Sequence, residues 1–215
     1  MSQQNQEHLN TLQEIRKMME RSSRFISLSG LSGIGAGLSA LVGATLVYLY
    51  LGTTPFKRYP GYYVIRNDYE NWGIGYRSFF ISIALAVLIF ALISGIYFTT
   101  RAARHRQQKV WDALTKRLLI NLAIPLIAGG FFCIGLIYHG IVGLIAPATL
   151  IFYGLALINA SKYTLNDIRY LGISEIILGL FGTFFIGYGL DLWAIGFGIL
   201  HIIYGVSMYY KYESN

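Results

Sequence analysis

Two ionisable residues, Glu175 and His201, lie within otherwise apolar stretches near the C-terminal end of the chain. Glu175 shares a helical face with Gly179 and Gly182, and His201 shares one with Gly198. A face of small residues packs against another helix, so both side chains should point into a helical bundle. Because an acid within lipid is costly and histidine titrates near neutral pH, the pair predicts an ion or solute path, or a proton relay.

A purely structural role is also consistent with these two residues. Glu175 lies four residues past Leu171, about 6 Å from the boundary of its apolar stretch. Its carboxyl could reach the surface or pair with Arg117 or Lys162. His201 could form a hydrogen bond with a neighbouring helix.

Other polar side chains in the apolar stretches suggest a smaller set of chemistries. Asn121 and Asn159 could line the same path as Glu175 or link two helices. His139 and Asp191 fall on turns at one side of the bundle, and two ligands are too few for a metal site. No spacing typical of a hydrolase or of a cofactor site is present, so the sequence predicts no metal and no cofactor.

The elements that carry these residues are long and apolar. The chain of 215 residues is 55% hydrophobic and only 13% charged, which is more apolar than a soluble chain of this size can bury. The apolar segments are 25–51, 79–99, 118–137, 141–159, 171–188 and 192–210. The sequence therefore predicts an all-α integral membrane protein with six transmembrane helices, because helices satisfy their own backbone groups in lipid.

The basic residues indicate the orientation of this bundle. With a cytoplasmic N-terminus, thirteen Lys and Arg residues lie on the inner side and four on the outer side. This bias predicts that both termini are cytoplasmic and that the chain resides in the inner membrane. It also predicts anionic lipid as a partner and gives no indication of nucleic acid.

The remaining segments divide the chain around the bundle. A periodic polar stretch, 7–24, predicts an amphipathic helix on the membrane surface or a docking helix. The loop at 52–76 is rich in aromatic residues, and it could form an interfacial belt or a lid. The predicted units are a cytoplasmic segment 1–24, a transmembrane domain 25–212 with the external loop 52–76 and a basic linker helix 100–117, and a tail 213–215.

Recurring glycines suggest three hairpin repeats with one orientation. An arginine precedes each odd-numbered segment and a glycine follows thirteen residues later, at Gly37, Gly130 and Gly182. Small residues allow helices to approach closely, within one chain or between two copies. The glycines predicted to pack helices together are Gly30, Gly33, Gly37, Gly179, Gly182, Gly198 and Gly205.

Two functions agree with this sequence. The first is a transporter or channel for a small solute or ion, linked to protons, with Glu175 and His201 on the path. The alternative is a sensor, regulatory or scaffold protein that does not transport and acts through its cytoplasmic helices. The acid–histidine pair on faces of small residues favours the first. Repeats around an axis through the membrane can also place a solute path between them.

Overall fold

The computed structural model describes residues 29–58, 70–105 and 111–213, and most of these residues are helical. Five helical segments are long and apolar enough to cross a membrane, so the described residues have the helix lengths and composition of a multi-pass membrane protein. They are Gly30–Leu51 (α1), Tyr76–His105 (α2), Ala113–Tyr138 (α3), Val142–Ala160, whose α-helical part is Ile145–Ala160 (α4), and Gly189–Tyr212 (α6).

The sixth predicted crossing corresponds to Asp167–Phe184 (α5), a helix of 18 residues. It includes three charged residues, Asp167, Arg169 and Glu175, and it is not among the five segments that qualify by length and composition. The sixth crossing therefore stays a prediction.

The helices form a row in which α6 is central. α2 packs on α1, α1 packs on α6, and α6 contacts both α4 and α5, which pack closely on each other. α3 packs on α4. The apolar side chains of α2 and α3 are mostly exposed, which is the pattern of helices that face lipid.

Glycines bring the backbones of α1 and α6 together. A Cβ atom on Gly33 would lie 3.2 Å from the carbonyl oxygen of His201, and one on Gly205 would lie 2.6 Å from the carbonyl oxygen of Gly30. α1 and α6 are antiparallel, because Gly30 lies near Gly205 while Gly37 lies near Gly198. Close packing of this kind is a main source of helix association where lipid removes the hydrophobic drive.

The threefold repeat is not confirmed, because glycines at matching positions have different surroundings. A Cβ on Gly37 would meet Ile202 and one on Gly182 would meet Leu192, whereas Gly130 has open space around it. The arrangement of the hairpins is a row with α6 at its centre, and the matching glycines do not occupy equivalent places in it.

A short β-hairpin covers one end of α1 and leads into α2. Its strands, Glu70–Asn71 (β1) and Ile74–Gly75 (β2), are antiparallel, and the turn between them has positive φ at Trp72 and Gly73. The fully buried Tyr50 donates a hydrogen bond to the carbonyl oxygen of Ile74 at 2.8 Å. The aromatic loop therefore begins and ends on ordered structure, while its residues 59–69 lie outside the described part.

Several predicted segments lie wholly or partly outside the described residues. The surface helix 7–24 lies outside them, as do residues 106–110 of the linker 100–117. The described parts of that linker continue α2 as far as His105 and begin α3 at Ala113. A separate linker helix thus stays a prediction.

Asp112 caps the first turn of α3. Its carboxylate accepts a hydrogen bond from the backbone N–H of Thr115 at 2.7 Å, which satisfies one of the free donors at the helix start. This hydrogen bond holds the pKa of Asp112 below its usual range. The ionised cap is therefore complete above the usual carboxyl pKa and is lost as the pH falls through the lowered value.

We expect Asp112→Ala to lower the free energy of unfolding by about 1 kcal/mol, because the first turn of α3 loses its cap. Thermal unfolding in detergent micelles measures the change. Asp112→Asn keeps an acceptor and is the matched control, and it should remain more stable than Asp112→Ala at neutral pH. Equal stability of the wild type and Asp112→Ala would contradict a capping role.

Candidate functional site

Glu175 is fully buried at the middle of α5, where its side chain faces α6 and α4. Among the described residues, neither of its carboxyl oxygens has a hydrogen-bond partner. The carboxyl does not reach the surface, and it makes no ion pair with Arg117 or Lys162. Burying an acid without compensating hydrogen bonds costs free energy, so such groups are rare in proteins. Where one occurs, a functional role is a common explanation.

His201 is the polar group nearest to that carboxyl. Its Nδ1 atom lies 3.4 Å from Glu175 Oε1 and 3.0 Å from the carbonyl oxygen of Gly196. The carbonyl oxygen can only accept, so Nδ1 carries a proton and donates it to Gly196. The structure thus brings the two predicted residues together, with the Nδ1 proton directed mainly at the backbone.

A π-helical stretch in α6 makes this contact possible. Residues Ala194–Leu200 form a π-helix between the α-helical parts Gly189–Trp193 and His201–Tyr212. A π-helical stretch shifts the i→i+4 hydrogen-bond ladder, and such stretches are frequent at functional sites. Here the carbonyl oxygen of Gly196 accepts from the side chain of His201, five residues later.

Gly196 also provides the space that the carboxyl occupies. A Cβ atom at this position would lie 2.5 Å from Glu175 Oε2 and 2.6 Å from Leu150 Cδ2. Any other residue at position 196 would displace the carboxyl or the leucine. Glu175, Leu150 and Gly196 therefore fit together only with glycine in the π-helical stretch.

Tyr153 of α4 is a third polar group at this place. Its hydroxyl lies 2.8 Å from Nε2 of His201, so the imidazole has a partner on each nitrogen. Tyr153 is partly exposed, whereas Glu175 and His201 are buried. We call Glu175, His201 and Tyr153 the polar centre.

Sequence reasoning did not find Tyr153. The chain has 17 tyrosines, and many lie at predicted membrane interfaces, so this one has no distinguishing pattern. A possible signal is that Tyr153 lies well inside an apolar helix, where a hydroxyl usually has a hydrogen-bond partner when buried.

Aromatic rings extend from the polar centre along α6. The ring of Phe197 stacks against that of His201 at a centroid distance of 5.8 Å, and Trp193 lies 5.1 Å from Phe197. Phe197 also packs against Tyr153, at 4.9 Å. These apolar rings separate the polar centre from the end of the bundle that contains Asp191.

Asn121 and Asn159 occupy a different part of the protein, between α3 and α4. Asn159 donates to the backbone carbonyl oxygen of Asn121 at 2.9 Å, and Asn121 donates to that of Arg117 at 2.8 Å. Asn159 also lines an open and mainly apolar groove with Pro125. Both asparagines link backbone groups here, and none of these contacts joins them to Glu175.

Asp191 holds the loop after α1 against the start of α6. Its Oδ1 atom accepts hydrogen bonds from the hydroxyl of Tyr48 at 2.6 Å and from the backbone N–H of Phe56 at 2.7 Å. Asp191 is buried, and Phe56 has a positive φ of 60°. The carboxyl thus fixes a strained turn of the external loop.

We expect Asp191→Ala to accelerate hydrogen exchange at the amide of Phe56 by about tenfold or more, because a charged-acceptor hydrogen bond contributes about 1.5–3 kcal/mol. Exchange measured by mass spectrometry on peptides covering 53–58 tests this. Tyr48→Phe removes the other hydrogen bond and is the control that leaves the Phe56 contact in place. Unchanged exchange in Asp191→Ala would show that the loop is held by other contacts.

At the opposite end of α6, its last residues contact the start of α5, and Glu213 contacts the start of α1. Lys211 and Tyr212 donate to the carboxylate of Asp167, with Lys211 Nζ at 3.0 Å from Oδ2 and the hydroxyl of Tyr212 at 2.7 Å from the same atom. Glu213 accepts from the hydroxyl of Ser29 at 3.0 Å and from the backbone N–H of Gly30 at 2.5 Å. The start of α1 and the end of α6 therefore lie side by side.

No group of three or more His, Cys, Asp or Glu side chains that could hold a metal ion occurs in residues 29–58, 70–105 and 111–213. Comparison of the chain with protein-family models, with curated proteins and with solved structures finds no match. The arrangement of the polar centre is therefore the basis for a functional proposal.

Proposed function

We propose that this protein crosses the membrane six times and transports a small solute or ion, with proton linkage through the polar centre. The observation that carries the proposal is Glu175, a fully buried carboxyl without a hydrogen-bond partner among the described residues, 3.4 Å from His201. Ionisable groups inside a membrane commonly mark ion paths or proton relays. The pairing of an acid with an imidazole provides groups that exchange protons near neutral pH.

Two contacts support the sixth crossing. Glu213 accepts hydrogen bonds from Ser29 and Gly30, so the start of α1 and the end of α6 lie on the same side, as an even number of crossings would place them. α5 also runs the length of α6, from Asp167 beside Tyr212 to Gly182 beside Leu192. With the bias of thirteen basic residues to four, these contacts favour cytoplasmic termini in an inner membrane.

Transport requires that the bundle open. The groove beside Asn159 is lined by residues of α3, α4 and the turn after α4, and Glu175 does not line it. α6 is suited to move, because its π-helical stretch interrupts the regular hydrogen-bond ladder. We propose that the described arrangement is the closed state of the cycle.

Purified protein reconstituted into liposomes tests this function. A pH-sensitive dye inside the vesicles should report proton entry when a pH gradient is imposed, and protein-free vesicles of the same lipid are the control. The basic residues near the predicted cytoplasmic side favour anionic lipid as a partner, so vesicles with and without anionic lipid should be compared. Absence of protein-dependent flux of protons or of any solute or ion tested would contradict transport.

The sealed core favours a second candidate, a sensor or scaffold protein that does not transport. Glu175 is completely enclosed, and a buried pair that changes charge could report pH to partners without any path. Affinity capture by the full chain and by a chain lacking residues 1–24 separates the two functions. Partners lost on deletion from a folded, flux-inactive protein would favour this candidate, and a second copy of the chain is one partner to test.

A further inference from the structure

We infer that the polar centre is a proton relay in which Tyr153 is the entry group, His201 the carrier and Glu175 the final acceptor. This inference rests on the proposed function and names the proton as the ion that the site takes. It adds Tyr153 to the working residues. Three observations support this relay: the order of exposure of the three residues, the two partners of the imidazole, and the small number of oxygen ligands for a cation among the described residues.

The exposed fractions of the three side chains indicate the order in which a proton would reach them. Tyr153 is partly exposed, His201 is 5% exposed and Glu175 is completely buried. Tyr153 is the least buried of these three residues, and its hydroxyl lies 2.8 Å from Nε2. A proton that reaches Glu175 by this route has to pass through the imidazole.

The imidazole can transfer a proton because its two nitrogens face different partners. An external donor gives a proton to the hydroxyl oxygen of Tyr153 while the hydroxyl passes its own proton to Nε2. The imidazolium then releases the Nδ1 proton to the Glu175 carboxylate, whose Oε1 lies 3.4 Å away. One proton enters and one proton arrives, so charge and atoms balance and the tyrosine remains neutral.

The carbonyl oxygen of Gly196 gives the Nδ1 proton a resting position. Nδ1 lies 3.0 Å from that oxygen and 3.4 Å from Glu175 Oε1, so a small rotation of the ring redirects the proton from the backbone to the carboxyl. Without a donor, a completely buried carboxylate is far costlier than a neutral carboxyl. We therefore expect Glu175 to carry the proton when the bundle is closed.

The surroundings favour a proton over a metal cation. Among the described residues, His201 of α6 lies 3.4 Å from Glu175 Oε1, and Tyr153 of α4 contacts the other nitrogen of that imidazole. The helix of Glu175 places Asp167 eight residues earlier, about 12 Å along the axis. A sodium or calcium ion needs six or so oxygen ligands, and the carbonyl oxygen of Gly196 already accepts from His201. Two carboxyl oxygens and one hydroxyl do not form such a site.

Infrared spectroscopy of the full-length protein in liposomes tests the relay without relying on transport. The carbonyl stretching band of a protonated carboxyl that disappears in Glu175→Gln belongs to Glu175. After transfer to deuterated buffer this band shifts as the proton exchanges. We expect Tyr153→Phe to slow that exchange at least about a hundredfold, the low end of the usual contribution of a positioned proton-transfer group.

Tyr204→Phe is the matched control, since Tyr204 is a partly buried tyrosine of α6 that packs in the neighbouring apolar cluster with Leu157 and Met208. Its exchange rate should equal that of the wild type. Equal exchange in Tyr153→Phe and the wild type would overturn the relay even if the vesicles pass protons. Slowed exchange in a protein that passes no protons or solute would support the relay and refute transport.

A wild-type measurement covers the case in which Tyr153→Phe does not fold. If the wild-type spectrum has no protonated carboxyl band that is absent from Glu175→Gln, Glu175 does not hold a proton in the closed state and the inference is wrong. If that band is present and its exchange quickens as the pH falls, proton delivery through a titrating group is supported.

Discussion

Glu175→Gln is expected to lower proton flux in liposomes by at least about a hundredfold, because the amide cannot accept and release a proton. The substitution preserves the size of the side chain in the space that Gly196 leaves open. It also removes a buried acid that has no hydrogen-bond partner among the described residues, so we expect thermal stability in detergent to be retained or raised. Loss of flux with retained stability is the signature of a functional group.

Asp167→Asn is the control for this experiment. Asp167 is the other carboxyl of α5, and it lies at the helix end in contact with Lys211 and Tyr212. Its substitution should leave flux close to that of the wild type while weakening the contact between α5 and α6. Proton flux that is the same in Glu175→Gln and in the wild type would refute the assignment of Glu175 to the path.

Gly205→Ala is expected to lower the free energy of unfolding by about 1–3 kcal/mol, the usual range for overpacking a close contact. The added Cβ would lie 2.6 Å from the carbonyl oxygen of Gly30 and 2.7 Å from the backbone nitrogen of Ile34, so the backbones of α1 and α6 would have to separate. Thermal and denaturant unfolding in detergent micelles, followed by tryptophan fluorescence, measures the loss.

Gly95→Ala is the matched control, because it makes the same substitution at a helix position where no close contact is present. Gly95 lies in α2 with no atom within 4 Å of an added Cβ, so only the better helix propensity of alanine should act. Its stability should equal or exceed that of the wild type. Similar losses in both variants would show that the contact between α1 and α6 is not what the glycines provide.

The apolar helices and the pair of Glu175 and His201 could be predicted from the sequence because both depend on spacing along one helix. Long apolar runs must be helical in lipid, and small residues beside an ionisable group indicate which side of the helix is inside. The structure adds what spacing cannot give, which is the rotation of α4 that brings Tyr153 to His201. That rotation depends on packing between helices distant in sequence.

The π-helical stretch and the order of the helices could not be predicted for related reasons. The residues Ala194–Leu200 have the composition of an ordinary membrane helix, so nothing in their sequence indicates a π-helix. The hydrogen bond from His201 to the carbonyl oxygen of Gly196 depends on the folded structure. The glycines of α1 indicated a close partner without identifying it as α6. The regular spacing of Gly37, Gly130 and Gly182 suggested a repeat, whereas their surroundings depend on the row of helices.

The contact between Ser29 and Glu213 can form only late in synthesis of the chain. These residues are 184 positions apart, so α1 leaves the ribosome long before Glu213 has been added. During that interval the glycine side of α1 lacks the α6 backbone that covers it in the folded protein. A transcript truncated before α6 would therefore yield a product that the cell's quality control can recognise and degrade.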